Sequence, residues 1–329
     1  MGAKVISLGH TIPKQKITNQ FFIDEGLETS DEWIKERTGI ESRYFTPTGT
    51  ASSDLGYEAA IDCLNNAKLT SKEIDLILVA TSTPDYNSFP STACLIQDKL
   101  KCNTIPAFDI SAACSGFCYA LSTAEGFLAT QKYQHILVIG VDCLSKITNM
   151  KDRSTCILFG DGAGVALLTQ SDTNNNGIIY SNIKAQGNLA NILKVPKGGS
   201  KYPFDETIAK EKSHFIEMDG TAVFKQAISI VVTEIKESLS KVKLTTNEID
   251  YLICHQANQR ILNKICNNLN IPTEKCISNI NQFGNTSAAS IPLAMSEFHN
   301  KNGFKKDDII ILAGFGAGFT WGITIIKWS

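Results

Sequence analysis

The 329-residue chain has no excess of basic residues: 31 Lys and Arg face 33 Asp and Glu, a formal net charge of −2. A surface built for polyanions carries a basic stripe, and none is present, which argues against nucleic acid as a partner. No apolar run approaches the roughly 18 residues that a membrane span needs. The opening "MGAKVISLGH" lacks a charged region followed by a long apolar stretch, so it is expected to be a strand and not a signal peptide. Its Met-Gly start is a poor myristoylation match, because the serine falls one place late, at Ser7. No low-complexity linker divides the chain, so one compact body is expected.

Cys-x-x-Cys pairs are missing too. Ten cysteines are present, at 63, 94, 102, 114, 118, 143, 156, 254, 266 and 276, and no Cys/His cluster has zinc-finger spacing. No metal site is expected. Their neighbours are mostly apolar, as in "YLICH" and "STCILF". Nine of the ten are expected to be unpaired buried thiols in a reducing, cytoplasmic setting. Dinucleotide fingerprints are also absent. "FGDGAGV" (159–165) and "GFGAGFTWG" (314–322) are Gly-rich, but the second runs into strand-like "FTWGITIIKW" and not into a helix. Both are expected to be tight turns, and nucleotide binding there is rejected.

What the chain does have is an internal repeat. "LTSKEIDLILVATSTP" (69–84) resembles "LTTNEIDYLICHQANQ" (244–259) at an offset of 175, and "YQHILVIGVDCLS" (133–145) resembles "KDDIIILAGFGAG" (306–318) at 173. Between them, "DISAACSGFCYALSTAEGFL" can be laid over "NINQFGNTSAASIPLAMSEF" at about the same offset. Each half repeats an amphipathic helix such as 54–67, a capping-type turn, an apolar strand, a small-residue segment, a second helix and another apolar strand. Strands alternating with helices predict α/β layers, and the continuous apolar strands predict sheets covered on both faces. Two such halves, 1–172 and 173–329, imply a pseudo-twofold with a shared helical layer between two sheets. The Gly-, Pro- and Lys-rich segment from about 187 to 220 breaks the pattern and is expected to hold loops.

Cys114 follows strand-like "AFDIS" and precedes helix-like "SGFCYALSTAEGFLAT". A sulfur at a helix N-terminus meets unpaired amide hydrogens and the dipole, both of which favour thiolate. A packed thiol fits the same local sequence. His255 alone of five histidines ends an apolar strand and meets a polar turn. A lone His there is commonly structural, but strand ends of such sheets are where sites gather. "FGNTSAASIP" (283–292) falls close to the Cys114 turn in the overlay, so a pseudo-twofold would face Asn285 toward Cys114. A plain helix cap fits that sequence as well.

Several longer motifs, in order, resemble one family: "TSDEWIKERTGI" (29–40), "AACSGF" (112–117), "DRSTCILFGDGAG" (152–164), "HQANQRI" (255–261), "GNTSAAS" (284–290) and "GFGAGFTWG" (314–322). The chain resembles a β-ketoacyl-acyl-carrier-protein synthase III, the condensing enzyme that primes type II fatty-acid synthesis. The resemblance implies a thiolase-like fold, a duplicated five-layer αβαβα sandwich with two mixed sheets, in a homodimer. It implies a Cys114–His255–Asn285 triad. Cys114 would take an acyl group from a short acyl-CoA, with acetyl-CoA favoured. Decarboxylation of malonyl-acyl-carrier protein would then supply the attacking carbanion.

By the same resemblance the backbone N–H groups of Cys114 and Ala317 form an oxyanion hole, with Ala where relatives often carry Gly. Trp33, Arg37, Arg153 and Asn258 would hold CoA. Phe89 would cap the acyl pocket across the dimer interface, and Phe315 would pack near the catalytic pair. Arg260, Lys225 and Lys264 would receive the acidic carrier protein, with Asn267 and Asn268 where the family has lysines. No cofactor is implied, because acyl-CoA is a substrate. The rival readings are a ketosynthase of secondary metabolism, a papain-like cysteine hydrolase, for which the Cys-to-His spacing of 141 is suitable but the "CGSCW" signature missing, and an inactive paralogue. A thiolase would need a second catalytic cysteine in the "GFGAG" loop.

Overall fold

The structure, a computed structural model, describes residues 2–171 and 176–329. The expected boundary between the halves, at 172/173, lies outside the described residues. The first sheet holds β1 (Ala3–Thr11), β2 (Leu76–Ala80), β3 (Ala107–Ile110), β4 (Ile136–Cys143) and β5 (Asp161–Gln170), ordered β1-β5-β4-β2-β3. β2 runs parallel to β3 and β4, and β5 antiparallel to β1 and β4. The second sheet holds β6 (Gly177–Ala185), β7 (Tyr251–Cys254), β8 (Ile309–Gly316) and β9 (Thr320–Lys327), ordered β6-β9-β8-β7. Its pairings repeat the first, with β7 parallel to β8 and β9 antiparallel to both neighbours. The counterpart of β3 is reduced to one bridge, Leu252 with Cys276.

Helices complete five layers. α1 (Asp31–Thr38) precedes them and borders the site. α2 (Ser52–Ala67) and α3 (Thr92–Lys99) cover the outer face of the first sheet. α4 (Gly116–Ala129) lies between the sheets. α5 (Gly220–Lys241) and α6 (Gln259–Leu269) cover the outer face of the second sheet, and α7 (Ser290–Asn302) shares the central layer with α4. α2 buries Leu55, Ala59, Cys63 and neighbours, a stripe at helical spacing that seals one side of the first sheet. Both strands β4 and β8 are buried on both faces, as their unbroken apolar runs predict.

The repeat is legible down to side chains. Glu73 accepts the Thr70 backbone N–H at 2.8 Å and its hydroxyl at 3.0 Å, and Glu248 accepts both from Thr245 at 2.8 Å. These capping boxes start the turns that feed β2 and β7. The overlay of 109–128 on 279–298 is corrected, however. Ala113 (φ 46°) and Ser287 (φ 52°) are the equivalent left-handed positions, an offset of 174 (287 − 113), four residues from the sequence overlay.

Three further expectations are corrected. Cys266 and Cys276 form a disulfide that ties α6 to the residual strand, so the unpaired-thiol reading fails for both; Cys94 is exposed and Cys102 half-buried. "FGDGAGV" is the start of β5 and not a turn. Its glycines admit α7, since a Cβ on Gly164 would lie 2.5 Å from the Leu293 nitrogen. Segment 187–220 is more than loops: it contains a 3₁₀ helix (Gly187–Ile192), a helix (Glu206–Glu211) and a two-stranded ribbon of Leu193–Lys194 with Glu217–Met218.

Candidate active site

Each half's small-residue turn packs on the other half's central strand. A Cβ on Gly140 of β4 would sit 2.2 Å from the Ala288 carbonyl oxygen, and one on Gly316 of β8 would sit 2.8 Å from the Cys114 nitrogen. Glycine is needed at both places because backbone meets backbone. Ser115 and Thr320 lock the crossing. Their hydroxyls are 2.8 Å apart, and Thr320 Oγ1 lies 2.9 Å from the Ala317 carbonyl oxygen and 3.1 Å from that of Ala112, which share its one proton.

This exchange brings Cys114, His255 and Asn285 to the wall of one cavity of about 330 Å3. His255 extends β7, its N–H donating to the Ala313 carbonyl at 2.8 Å. Its Nδ1 lies 2.7 Å from Ser290 Oγ. That oxygen also accepts the Gln256 N–H at 3.2 Å. We assign the ring proton to Nε2, with the Ser290 hydroxyl donating to Nδ1. The Phe315 ring meets the imidazole edge-on at 5.2 Å. Burial pushes the imidazole down to about 3, against a contact with the Ser287 backbone that works the other way, so His255 is neutral. Asn285 is pinned through its backbone to Leu158 and Gly160, and its Oδ1 accepts the Ser287 N–H at 2.9 Å. The helix-cap reading is therefore right for Oδ1, while the same residue lines the cavity beside Cys114. Neutral amide and imidazole N–H groups can stabilise a developing oxyanion without adding charge.

Burial works against the thiolate expected at Cys114. Burial pushes the thiol up to about 12, the Ser287 hydroxyl opposes this, and the nearby Asp142 carboxylate adds to it.

Cys114 also opens on a second cavity of about 190 Å3, lined mainly by Leu144, Ile147, Phe159, Leu193, Val195 and Ile216, with Ala317 at its edge. Sequence reading missed these apolar residues, which come from four separate segments. Phe315 lines the larger cavity and not this one. Phe89 reaches neither. It is 84% exposed, with Tyr86, Tyr202 and Phe204 also exposed.

At the mouth of the larger cavity, the Arg153 and Arg37 guanidiniums lie 4.8 and 5.6 Å from the Trp33 ring centre. Asn258 borders the same cavity, but its amide is engaged: Oδ1 caps α6 on the Arg260 N–H and Nδ2 donates to the Arg37 carbonyl. Lys225, Arg260 and Lys264 are exposed, as are Asn267 and Asn268, and Arg260 rests over the Phe224 ring at 5.8 Å. Ser290, Ser287 and Asp142 were not singled out from sequence. The first two were hidden in a run of capping residues. Asp142 had a signal: a carboxylate closing the apolar run of β4 must be satisfied by something. Among the described residues no group of three or more His, Cys, Asp or Glu is placed to hold a metal ion, and no helix is long and apolar enough to cross a membrane.

Two family models match the chain, 3-oxoacyl-[acyl-carrier-protein] synthase III over 108–187 and its C-terminal part over 239–328. A β-ketoacyl-[acyl-carrier-protein] synthase III of Clostridium tetani is 45% identical over 332 residues, covering 99% of this chain and 98% of the relative. One from Natranaerobius thermophilus is 44% identical over 328 residues, 99% of each. The crystal structure of 3-oxoacyl-[acyl-carrier-protein] synthase III from Aquifex aeolicus superposes with a TM-score of 0.90 at 40% identity, over 99% of this chain and 100% of that one. With the duplicated five-layer fold already established, these likenesses over the whole length lead to one conclusion: the chain belongs to the β-ketoacyl-acyl-carrier-protein synthase III family, and it is a condensing acyltransferase that initiates fatty-acid synthesis.

Proposed function

We propose that Cys114 takes the acyl group of a short acyl-CoA, acetyl-CoA first among them, and that the acyl-enzyme then condenses with malonyl-acyl-carrier protein. The observation that carries this is the position of Cys114, which lines both the cavity of about 330 Å3 that Trp33, Arg37 and Arg153 border and the apolar one of about 190 Å3. A pantetheine arm fits the first and an acyl chain the second. The thioester splits one hard step into two. Loss of carbon dioxide places charge on the malonyl thioester oxygen, which His255 Nε2–H and Asn285 would receive. The backbone N–H groups of Cys114 and Ala317 would serve the acyl-transfer oxyanion. No cofactor takes part in this scheme.

Trp33, Arg37 and Arg153 suit a nucleotide at the cavity mouth, where guanidiniums meet phosphate and the indole meets a base. Phe89 and the other exposed aromatics, Tyr86, Tyr202 and Phe204, suit a second copy of the chain, whose Phe89 would close the apolar cavity. Arg260, with Lys225 and Lys264, suits an acidic carrier protein.

Incubation with acetyl- to dodecanoyl-CoA followed by intact-mass measurement tests the reading. One acyl adduct, absent in Cys114→Ala and strongest for short chains, is expected. No adduct with any acyl-CoA would sink the reading, and preference for long chains would sink the short starter. Arg260→Glu should raise KM for malonyl-carrier protein several-fold and leave acyl transfer from CoA unchanged. Equal loss in both assays would remove Arg260 from the carrier surface.

A further inference from the structure

Among the described residues, the bulkiest side chain that the fold buries completely is a cation, Arg43, in the short strand Ser42–Phe45. Its hydrogen bonds go to neutral oxygens. Nη1 donates to Asn19 Oδ1 at 2.7 Å and Nη2 to the Ile157 carbonyl at 2.5 Å, while Nε has no partner among the described residues. The guanidinium also lies 4.9 Å from the Phe22 ring centre. Burial brings it down to about 10, with Cys156 and Asp31 working the other way, so it is charged at neutral pH. A buried cation with no carboxylate bonded to it and one N–H unmet is a poor device for stability. Apolar side chains of the same volume commonly serve a core as well or better.

What the cation joins gives it a use. On one side, Asn19 Nδ2 donates to Asp31 Oδ1 and to the Ile40 carbonyl, each at 2.8 Å. Those two groups bracket α1, the helix that carries Trp33 and Arg37 to the cavity mouth. On the other side, Ile157 starts a ledge that holds Asn285. The Leu158 carbonyl accepts the Asn285 N–H at 2.9 Å, and the Gly160 N–H donates to the Asn285 carbonyl at 3.0 Å. Ile157, Leu158 and Phe159 line the same cavity as Asn285. The Arg43 stem is wedged against both sides of this contact: a Cβ on Gly160 would lie 3.0 Å from Arg43 Cβ, and one on Gly284 3.2 Å from it. Arg43 and Asn19 themselves line neither cavity.

We propose that Arg43 is a positioning residue that clamps the Asn285 ledge to α1 and thereby places both the oxyanion donor and the CoA-binding mouth. It touches no reacting atom. The arm to Ile157 acts on Asn285, and the arm through Asn19 acts on Trp33 and Arg37. A lysine would keep the charge but lacks the planar fork that reaches both oxygens at once.

The inference rests on the roles proposed above for Asn285, Trp33 and Arg37. Native protein, Arg43→Met, Arg43→Lys and Asn19→Ala are compared in two assays, acylation by the acyl-CoA that acylates the native protein and decarboxylation of malonyl-carrier protein. Intact mass after acylation counts the working sites, and every rate is taken per site, which cancels any unfolded fraction. Arg43→Met should slow decarboxylation about tenfold at saturating carrier protein, because a displaced donor stabilises the oxyanion poorly. It should also raise half-saturation by acyl-CoA several-fold. Acylation at saturating acyl-CoA should stay within threefold, since among the described residues no hydrogen bond joins the Arg43 or Asn19 side chain to the Cys114 turn. Arg43→Lys should behave as Arg43→Met does. Asn19→Ala, which leaves the cation its Ile157 bond, should raise half-saturation alone. Native values in Arg43→Met, or their restoration by lysine, overturn the clamp. If Arg43→Met fails to fold, an unchanged half-saturation in Asn19→Ala overturns it instead. Equal loss per site in all three quantities overturns it too, and assigns Arg43 to stability. Absence of any adduct on the native protein refutes the proposed acyl transfer, and the inference falls with it.

Discussion

The turns 112–116 and 286–290 are two copies of one backbone with different contents. Both enter through a left-handed residue, both make a 3₁₀ turn and both open a central helix. The first presents a sulfur. The second presents three hydroxyls, Thr286, Ser287 and Ser290, and a methyl where the sulfur would be, at Ala288, with the Asn285 amide just before it. Duplication therefore supplied a symmetric scaffold, and side-chain divergence separated nucleophile from hydrogen-bond donors. The outer edges diverge too. Cys266 and Cys276 are bonded, whereas Cys94 and Cys102, 172 and 174 residues earlier, are free.

The most damaging way to break the symmetry is at the crossing glycines. Gly140→Ala should destabilise the fold by at least about 3 kcal/mol, since its Cβ meets a backbone oxygen that cannot step aside. Gly316→Ala should cost about 1–3 kcal/mol and, unlike Gly140→Ala, abolish acylation in whatever protein stays folded. Chemical denaturation and adduct formation, measured side by side, would show it. Reduction of Cys266–Cys276 should lower stability by at most about 3 kcal/mol for a loop this short. Cys266→Ser should remove the response to reductant.

Titration of His255 tests the second turn's neighbour. Its folded value of about 3 lies below the ordinary 6.5, so between those values the unfolded chain binds a proton that the folded chain refuses. Stability should then fall as pH drops through that window, by up to about 1.4 kcal/mol per unit. His255→Gln should show a shallower slope in denaturation curves taken between pH 6.5 and 4. Equal slopes would mean that the imidazole is charged in the native state.

Much of this was legible in the sequence. The 175-residue offset of the capping turns located matching strands, because capping boxes and buried strands are local and leave clear patterns. Motif order located Cys114, His255 and Asn285. The charge state of Cys114 was not legible, since it depends on burial by the opposite half, and neither was the helix overlay, whose register is set by the left-handed residues Ala113 and Ser287. The apolar cavity was invisible for a similar reason: Leu144, Phe159, Val195 and Ile216 meet only in three dimensions. The Cys266–Cys276 bond was missed because a ten-residue separation has no signature without the strand bridge at Leu252.

The division of labour between the two turns is tested most directly by measuring both half-reactions in Cys114→Ala and Asn285→Ala. Cys114→Ala should form no acyl adduct and still decarboxylate malonyl-carrier protein. Asn285→Ala should lose on the order of 100-fold in decarboxylation, as expected for a missing oxyanion donor, and keep acylation within a few-fold of native. If each variant lost both half-reactions to the same degree, the two turns would be one undivided site and the account would be wrong.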